Sequence, residues 1–456
     1  MAEKQLEITE HDDAGNITAT YVQSAASQSG ASRVDVILPT VVKSPWQRAL
    51  NVFLPTGYPH SVTKDYLEYQ IYDSLQAFSS SIAGLLSSRA VLSSVGVGDS
   101  TASPTAALLL SILQESAGRV ATILFADRFG TSLEPECKMY RLLADVLNDI
   151  AFILDCLSPV FPKPIRVVIL SFSSVLRALC GVAAGSAKAS LSAHFARWGN
   201  LGELNAKDSS QETVISLLGM LAGSLVVTWV TTPFATWTAL ILLLSVHLET
   251  NRRAVRAVSM RTLNRQRATL VYHHLKTGHI PTPEAISKEE HIFERDGVLR
   301  APDRRLLGHC SIGSSMVKLL GKVSTQAHTR TNSSTIRSDL LPRLLAVFKD
   351  RKYTMWCENR SSSAKFDVVI KTGASSLDLL TAWWQALEFA SAITDEEIRL
   401  ADSSHTEAIL ERLKDSAQTA GQLLRDNEVG LREAGWALDL GALETASGVR
   451  IAVAAV

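Results

Sequence analysis

The chain has 456 residues, 46% of them hydrophobic and 20% charged, with 45 basic residues against 45 acidic ones. That balance gives no global field to draw nucleic acid or acidic substrates, and the length suits two or three domains with sizeable cores. A mean hydropathy of +0.12 is high for a wholly water-soluble chain and comes from one region. Residues 65–248 are apolar and rich in Ser, Ala and Gly, whereas residues 249–456 are charged.

Residues 1–52 read as a polar tail and loop, with Ser32 to Leu38 as one short strand and an amphipathic piece near Trp46 to Phe53. The opening MAEKQLEITEHDDAGN is neither signal peptide nor Arg-rich transit peptide, so membrane insertion is expected to use internal segments. Cys137, Cys156, Cys180, Cys310 and Cys357 are scattered, odd in number and without a C-x-x-C. That argues against a disulfide framework or zinc site and fits a reducing compartment.

From residue 53 to 250 the texture is helical, and six helices are expected before Arg252. The first covers about Asp65 to Val95 and is closed by the Gly-rich 96–100. The second opens at Pro104, a good first-turn proline, and runs to Asp127. "MYRLLADVLNDIAFILDCL" forms the third, stopped by SPVFPKP, and Ile165 to Phe195 the fourth. The fifth and sixth share Thr213 to Leu248, 36 residues without Asp, Glu, Lys or Arg. One helix of that length would measure about 54 Å against roughly 30 Å of hydrocarbon. Pro233 in TTPF divides it into two spans, with Trp229 and Trp237 as interfacial anchors. The competing reading is a buried hairpin in a soluble bundle. The small residues of SSSIAGLLSS and GVAAGSAKAS suit close helix packing in lipid.

The expected fold is therefore mainly α: a polytopic membrane bundle of about six helices, residues 53–250, followed by a smaller soluble α+β domain within residues 251–456. The six arginines from Arg252 to Arg267 read as a positive-inside flank holding that domain on the cytoplasmic or equivalent face. "YTMWCEN" and "KFDVVIKTG" alternate as a hairpin, two amphipathic helices follow, and VRIAVAA ends the chain as a strand.

"FLPTGYPHSVTKDYLEYQIYDSLQA" (53–77), "KMYRLLADVLNDIA" (138–151), "AKDSSQET" (206–213) and "LVYHHLKTGHIPTPEAISKEE" (270–290) stand in an order that resembles the root UVB sensitive family. Glu203 keeps the charge where the family is expected to carry Asp. The resemblance implies a membrane-associated protein linked in plants to ultraviolet-B tolerance, seedling development and vitamin B6 homeostasis, with no settled biochemical activity.

Charges inside the apolar half are the candidate site residues. Glu115 and Arg119 are one turn apart on the second helix; Arg141, Asp145 and Asp149 form a stripe on the third. Arg166, Arg177 and Lys188 recur every eleven residues on one face of the fourth. A hairpin about SPVFPKP would set Arg177 level with Asp145 and Asp149, either as a salt-bridged interior or as a path for substrate or protons. Tyr58, Asp65, Tyr69, Gln70 and Asp73 give the first helix a polar face, and Lys207 joins them as a candidate substrate-binding residue; that face either binds a ligand or caps and packs the helix. "FADRFGTSLEPECK" is similar to the turn between the second and third helices of major-facilitator transporters; six helices would be half of one, which would require either association with itself or a family member, or a different mechanism.

Catalytic motifs are weak. Gly96-Val97-Gly98 lacks a phosphate-loop Lys, GHCSIG lacks the context of a nucleophile elbow, and His273-His274 reads as a polar helix face. No cofactor, metal or nucleic-acid partner is expected. The leading function is transport or homeostasis of a small polar metabolite in a bilayer. The alternatives are a non-catalytic adaptor recruiting a partner through its C-terminal domain, and an enzyme of vitamin B6 metabolism.

Overall fold

A computed structural model describes residues 6–11, 17–23, 34–38, 52–94, 104–323, 326–328, 333–335, 339–360, 363–393, 404–445 and 448–453. The Gly-rich 96–100 and most of the amphipathic piece near Trp46 lie outside them. The contacts divide the chain into two units. One comprises Met1–Gly118, Ala144–Cys180 and Lys188–Val258; the other comprises Arg119–Leu143, Gly181–Ala187 and Ser259–Val456.

The described residues of the N-terminal region include three strands. Leu6–His11 (β1), Ile17–Gln23 (β2) and Val34–Ile37 (β3) pair antiparallel in chain order. The alternation and β-branched residues of ITATYVQ suit the central strand.

The six expected helices follow as Tyr66–Ser94 (α1), Pro104–Phe129 (α2), Cys137–Leu157 (α3), Lys163–Phe195 (α4), Leu201–Trp229 (α5) and Pro233–Ala257 (α6). By length and composition four stretches could cross a membrane: Leu108–Ser132, Lys163–Phe195, Leu201–Trp229 and Pro233–Ala257. The chain is mainly helical, and among the described residues four of the six helices contribute candidate spans. The first helix buries Gln70, Asp73, Gln76, Ser79 and Ser87, and the third buries Arg141, Asp145, Asp149 and Asp155, which lowers the hydropathy of both. Leu108, Leu109, Ile112, Leu113, Ile123 and Leu124 on α2, and Leu217, Leu221 and Leu225 on α5, are exposed. Apolar faces of that extent suit a lipid solvent.

In the first unit α1 packs against α5 and α6. Gly219 and Gly223 make the approach of α5 possible. A Cβ on Gly219 would lie 2.7 Å from Ser81 Cβ and 2.9 Å from Phe78 O, and one on Gly223 would lie 2.8 Å from Leu85 Cδ1. Four-residue spacing puts both on one face, and only glycine lets the backbones come so near.

The break between α5 and α6 is closed by specific bonds. Thr232 is extended and its hydroxyl accepts from Ala235 N at 3.2 Å, while Pro233 supplies the first turn. Arg89 reaches across from α1 to Val227 O (2.9 Å), Val230 O (2.7 Å) and Thr236 Oγ1 (2.9 Å). Its guanidinium thus satisfies carbonyls that the end of α5 leaves unpaired. Trp229 is 85% exposed and Phe234 84%, so both project from the turn, while Trp237 packs on the cluster of Ala83, Phe152, Cys156, Leu240 and Leu244.

The second unit is built on a mixed sheet. Helices Arg265–Lys276 (α7) and Pro283–Glu289 (α8) precede the strands Val298–Arg300 (β4) and Leu306–Ile312 (β5). After them come Met316–Val323 (α9), the small pair Gln326–His328 (β6) and Ser333–Thr335 (β7), and Leu340–Val347 (α10). Tyr353–Arg360 (β8) and Ser363–Lys371 (β9) form the expected hairpin, then Ser376–Ala392 (α11), Ser404–Glu433 (α12) and Arg450–Ile451 (β10). Strand β9 is central, antiparallel to β8 and parallel to β5 and β10; β4 flanks β5 antiparallel. Helix α11 is capped by a reciprocal Ser375–Asp378 box. It buries Trp383 and Trp384, whose indoles donate to Thr269 Oγ1 (3.0 Å) and Ala268 O (2.9 Å).

The arginine flank is shorter than the sequence suggested. Arg265 is buried against Asp296, and Arg267 bonds Glu290 at 2.8 Å with 2% of its side chain exposed. Arg267–Glu290 is a core ion pair, whereas Asp296 is 63% exposed and holds Arg265 from the surface. Of the rest, Arg252 and Arg253 pair with Glu249 at 2.7 and 2.8 Å.

Candidate functional site

The polar face of α1 is satisfied from within the first unit. Gln70 Nε2 donates to Asp208 Oδ1 (2.9 Å) and to Tyr66 Oη (3.3 Å), and Tyr69 Oη lies 3.5 Å from Asp73. Asp65 meets His194 at 2.9 Å, and Tyr58 packs on Tyr66. Lys188 bridges Asp208 (2.8 Å) and Glu212 (2.6 Å). Lys207 donates to Val52 O (2.8 Å), Gln211 to Phe53 O (2.6 Å), and Thr56 N and Oγ1 both donate to Glu203 Oε1 at 2.7 Å. Stretches 53–77 and 206–213 are therefore one interlocked seam. The cavity that Tyr66, Tyr69, Gln70, Lys188 and Asp208 line holds about 10 Å³, room for one water at most. These contacts tie the α1 face to the start of α5.

Asp145 and Asp149 do not face Arg177. Their stripe on α3 turns toward α6, where His247 Nδ1 lies 2.7 Å from Asp149 Oδ1 and His247 Nε2 lies 3.5 Å from Asp145 Oδ2. Asn251, one turn on, donates to Asp145, and Gln76 Nε2 of α1 lies 2.8 Å from His247 Nε2. His247 and Asn251 are fully buried, and Asp149 and Asp145 are 3% and 4% exposed. The 2.7 Å approach is an ion-pair contact rather than an aligned hydrogen bond, and Asp149 Oδ2 has no hydrogen-bond partner among the described residues. Two carboxylates and an imidazole out of water form a unit whose charge depends on how many protons it holds.

Arg177 pairs instead with Asp155, which also accepts from Ser87 Oγ at 2.7 Å. Helical side chains lean toward their own N-terminus, so the long Arg177 reaches back toward the α3–α4 turn, past the level of Asp149. Asp155 follows Asp149 by six residues, about 120° round the helix, on a different face. The eleven-residue repeat on α4 is thus three separate anchors. Arg166 binds Ser94 O and Phe161 O at 2.5 and 2.9 Å, Arg177 binds Asp155, and Lys188 binds Asp208. Glu115 and Arg119 are exposed on α2.

The residue that sequence reasoning missed is His247. It is the one imidazole in Thr213 to Leu248, and counting that run as uncharged concealed it.

The second unit contains a cavity of about 1030 Å³, within the range of small-molecule sites. Its wall includes Arg128, Phe129, Glu136, Tyr140, Arg265, His273, His274, Glu289, His291, Glu294, Arg295, Asp296, Arg300 and Arg304. Several of these charges are neutralised in place. Arg265 pairs with Asp296, Arg300 with Glu294 at 2.7 Å, and His274 with Glu289 at 3.0 Å. Burial holds His273 below the ordinary imidazole range, with its Nε2 2.8 Å from Arg300 O. Burial also pushes Glu136 up to about 7, against the pull of Arg267. Among the described residues no three His, Cys, Asp or Glu are grouped to hold a metal ion.

Residues 39–278 match the family model for a vitamin B6 photo-protection and homoeostasis domain. Over 380 residues the chain is 33% identical to protein root UVB sensitive 3 of Arabidopsis thaliana, covering 82% of this chain and 80% of that protein. The chain belongs to the root UVB sensitive family. It is also 42% identical over 247 residues to RUS family member 1 of Dictyostelium discoideum, covering 53% of this chain but 47% of that relative. Protein root UVB sensitive 2, chloroplastic, of Arabidopsis thaliana is 27% identical over 338 residues, 73% of this chain and 71% of that one. No solved structure matches. The root UVB sensitive domain at 39–278 takes in the seam and the whole Asp145–Asp149–His247 unit, whereas cavity residues from Glu289 to Arg304 lie beyond it.

Proposed function

We propose that this root UVB sensitive protein acts in a membrane as a non-catalytic transport or homeostasis factor for a small polar metabolite, with vitamin B6 compounds as the first candidates. The observation that carries the reading is the buried Asp145–Asp149–His247–Asn251–Gln76 cluster, in a unit whose helices include membrane-length apolar ones. Ionisable groups in such a setting cost free energy unless paired, and they mark ion or substrate pathways. Neither Asp149 carboxylate oxygen has an aligned hydrogen bond among the described residues, so the cluster can take up a proton or a polar group. The match of residues 39–278 to a vitamin B6 photo-protection and homoeostasis domain supplies the metabolite class. The C-terminal unit is expected on the cytoplasmic or equivalent face, with Arg252, Arg253 and Arg256 as the remaining basic flank.

The test is flux. Purified protein in liposomes should take up pyridoxine faster than protein-free vesicles under an imposed pH gradient, and His247→Gln should abolish the difference. Equal uptake with and without protein, for pyridoxine and pyridoxal alike, would overturn the transport reading.

A further inference from the structure

We propose that the cavity of the second unit binds a small organic phosphate, its phosphate on Arg128, Arg295 and Arg304 and its apolar part against Phe129 and Tyr140. The wall's other guanidinium groups already have carboxylate partners. Arg128, Arg295 and Arg304 have neither an ion pair nor a side-chain hydrogen bond among the described residues, yet all three line one cavity with two aromatic rings. Unpaired surface arginines are ordinarily just solvated. Here the backbone gives a separate reason to assign them a ligand.

The β4–β5 turn runs Ala301-Pro302-Asp303-Arg304. Arg304 N donates to Ala301 O and Ala301 N to Arg305 O, both at 2.9 Å. Arg304 is held at φ 68°, the only non-glycine with positive φ among the described residues. Hairpins of this kind put glycine at the left-handed position; a side chain there strains the backbone, and such strain collects at functional sites. The sequence nevertheless places an arginine in the cavity wall at this position. A phosphate monoester carries nearly two negative charges at pH 7 and three strong acceptors, and arginine forks bind it through paired charge-assisted bonds.

This proposal stands apart from the transport reading, since it concerns other residues and needs no vesicle. Full-length protein in detergent should bind phenyl phosphate saturably by calorimetry at low salt, and phenol not at all. Arg304→Gly and Arg295→Gln should each weaken binding by about tenfold, the loss of one charge-assisted contact. Arg304→Gly should at the same time raise the unfolding temperature, because glycine relieves the turn. A merely structural arginine would not split stability from binding in that way. The proposal is overturned by no saturable heat up to about 1 mM phenyl phosphate, by unchanged affinity in both variants, or by phenol binding as tightly.

Discussion

His247 and Asp149 meet at 2.7 Å with the imidazole fully buried and the carboxylate 3% exposed, and that contact joins α6 to α3. Removing one partner leaves the other's charge uncompensated in a low-dielectric interior. His247→Ala should therefore destabilise the detergent-solubilised protein by about 3 kcal/mol. Adding Asp149→Asn should return part of the loss, with a coupling of about 1 kcal/mol or more in a thermal-unfolding cycle. In liposomes the stable double variant is expected to remain inactive. Recovery of pyridoxine flux together with stability would reduce the cluster to scaffolding.

Arg177 and Asp155 form the second test. Asp155 is 1% exposed and Arg177 40%, so solvent screens part of the attraction. Arg177→Ala should cost about 1–3 kcal/mol, below the figure for a fully buried pair. Asp155→Asn should rescue part of that loss, whereas Asp145→Asn should add to it. Rescue by Asp145→Asn would restore the register that the eleven-residue spacing alone suggested.

Glu290 holds the second unit through two cations, Lys138 at 2.7 Å and Arg267 at 2.8 Å, all three side chains being at most 6% exposed. Glu290→Gln should cost about 3–5 kcal/mol by leaving buried cations unpaired. Burial alone would raise the Glu290 pKa, but Arg267 and Lys138 outweigh it and hold the carboxyl below the ordinary range. The folded state therefore binds fewer protons than the unfolded one in that window. Its stabilisation is complete above the ordinary Glu value of about 4.3 and is lost as pH falls through the lower folded value. Tryptophan-monitored unfolding from pH 7 to pH 3 should show that loss in the wild type and a flatter acid limb in Glu290→Gln.

Gly219→Ala tests the helix crossing. Alanine favours a helix over glycine by about 1 kcal/mol, so at Gly202, where an added Cβ meets nothing within 4 Å, the change should stabilise. At Gly219 the same methyl meets Ser81 Cβ at 2.7 Å and Phe78 O at 2.9 Å, and α1 and α5 must separate. A lower unfolding temperature for Gly219→Ala and a higher one for Gly202→Ala are expected. Equal shifts would mean that the crossing is looser than described.

Hydrophobic pattern, punctuation and motif order by themselves determined the six helices, the Pro233 break, the β8–β9 hairpin and the family, because period, proline chemistry and family motifs are local properties of a chain. Pairing is not local. Arg177 lies level with the Asp145–Asp149 stretch by residue count, yet side-chain lean and a different facing give it to Asp155. Arg265 and Arg267 look in the sequence like the continuation of a basic flank, and only the fold brings Asp296 and Glu290 beside them. His247 passes for one more residue of an apolar run until α3 and α1 close on it. The cavity is likewise tertiary. Its walls come from the end of α2, from α7 and from the β4–β5 turn, which lie far apart along the chain, and no spacing rule connects Arg128 with Arg304.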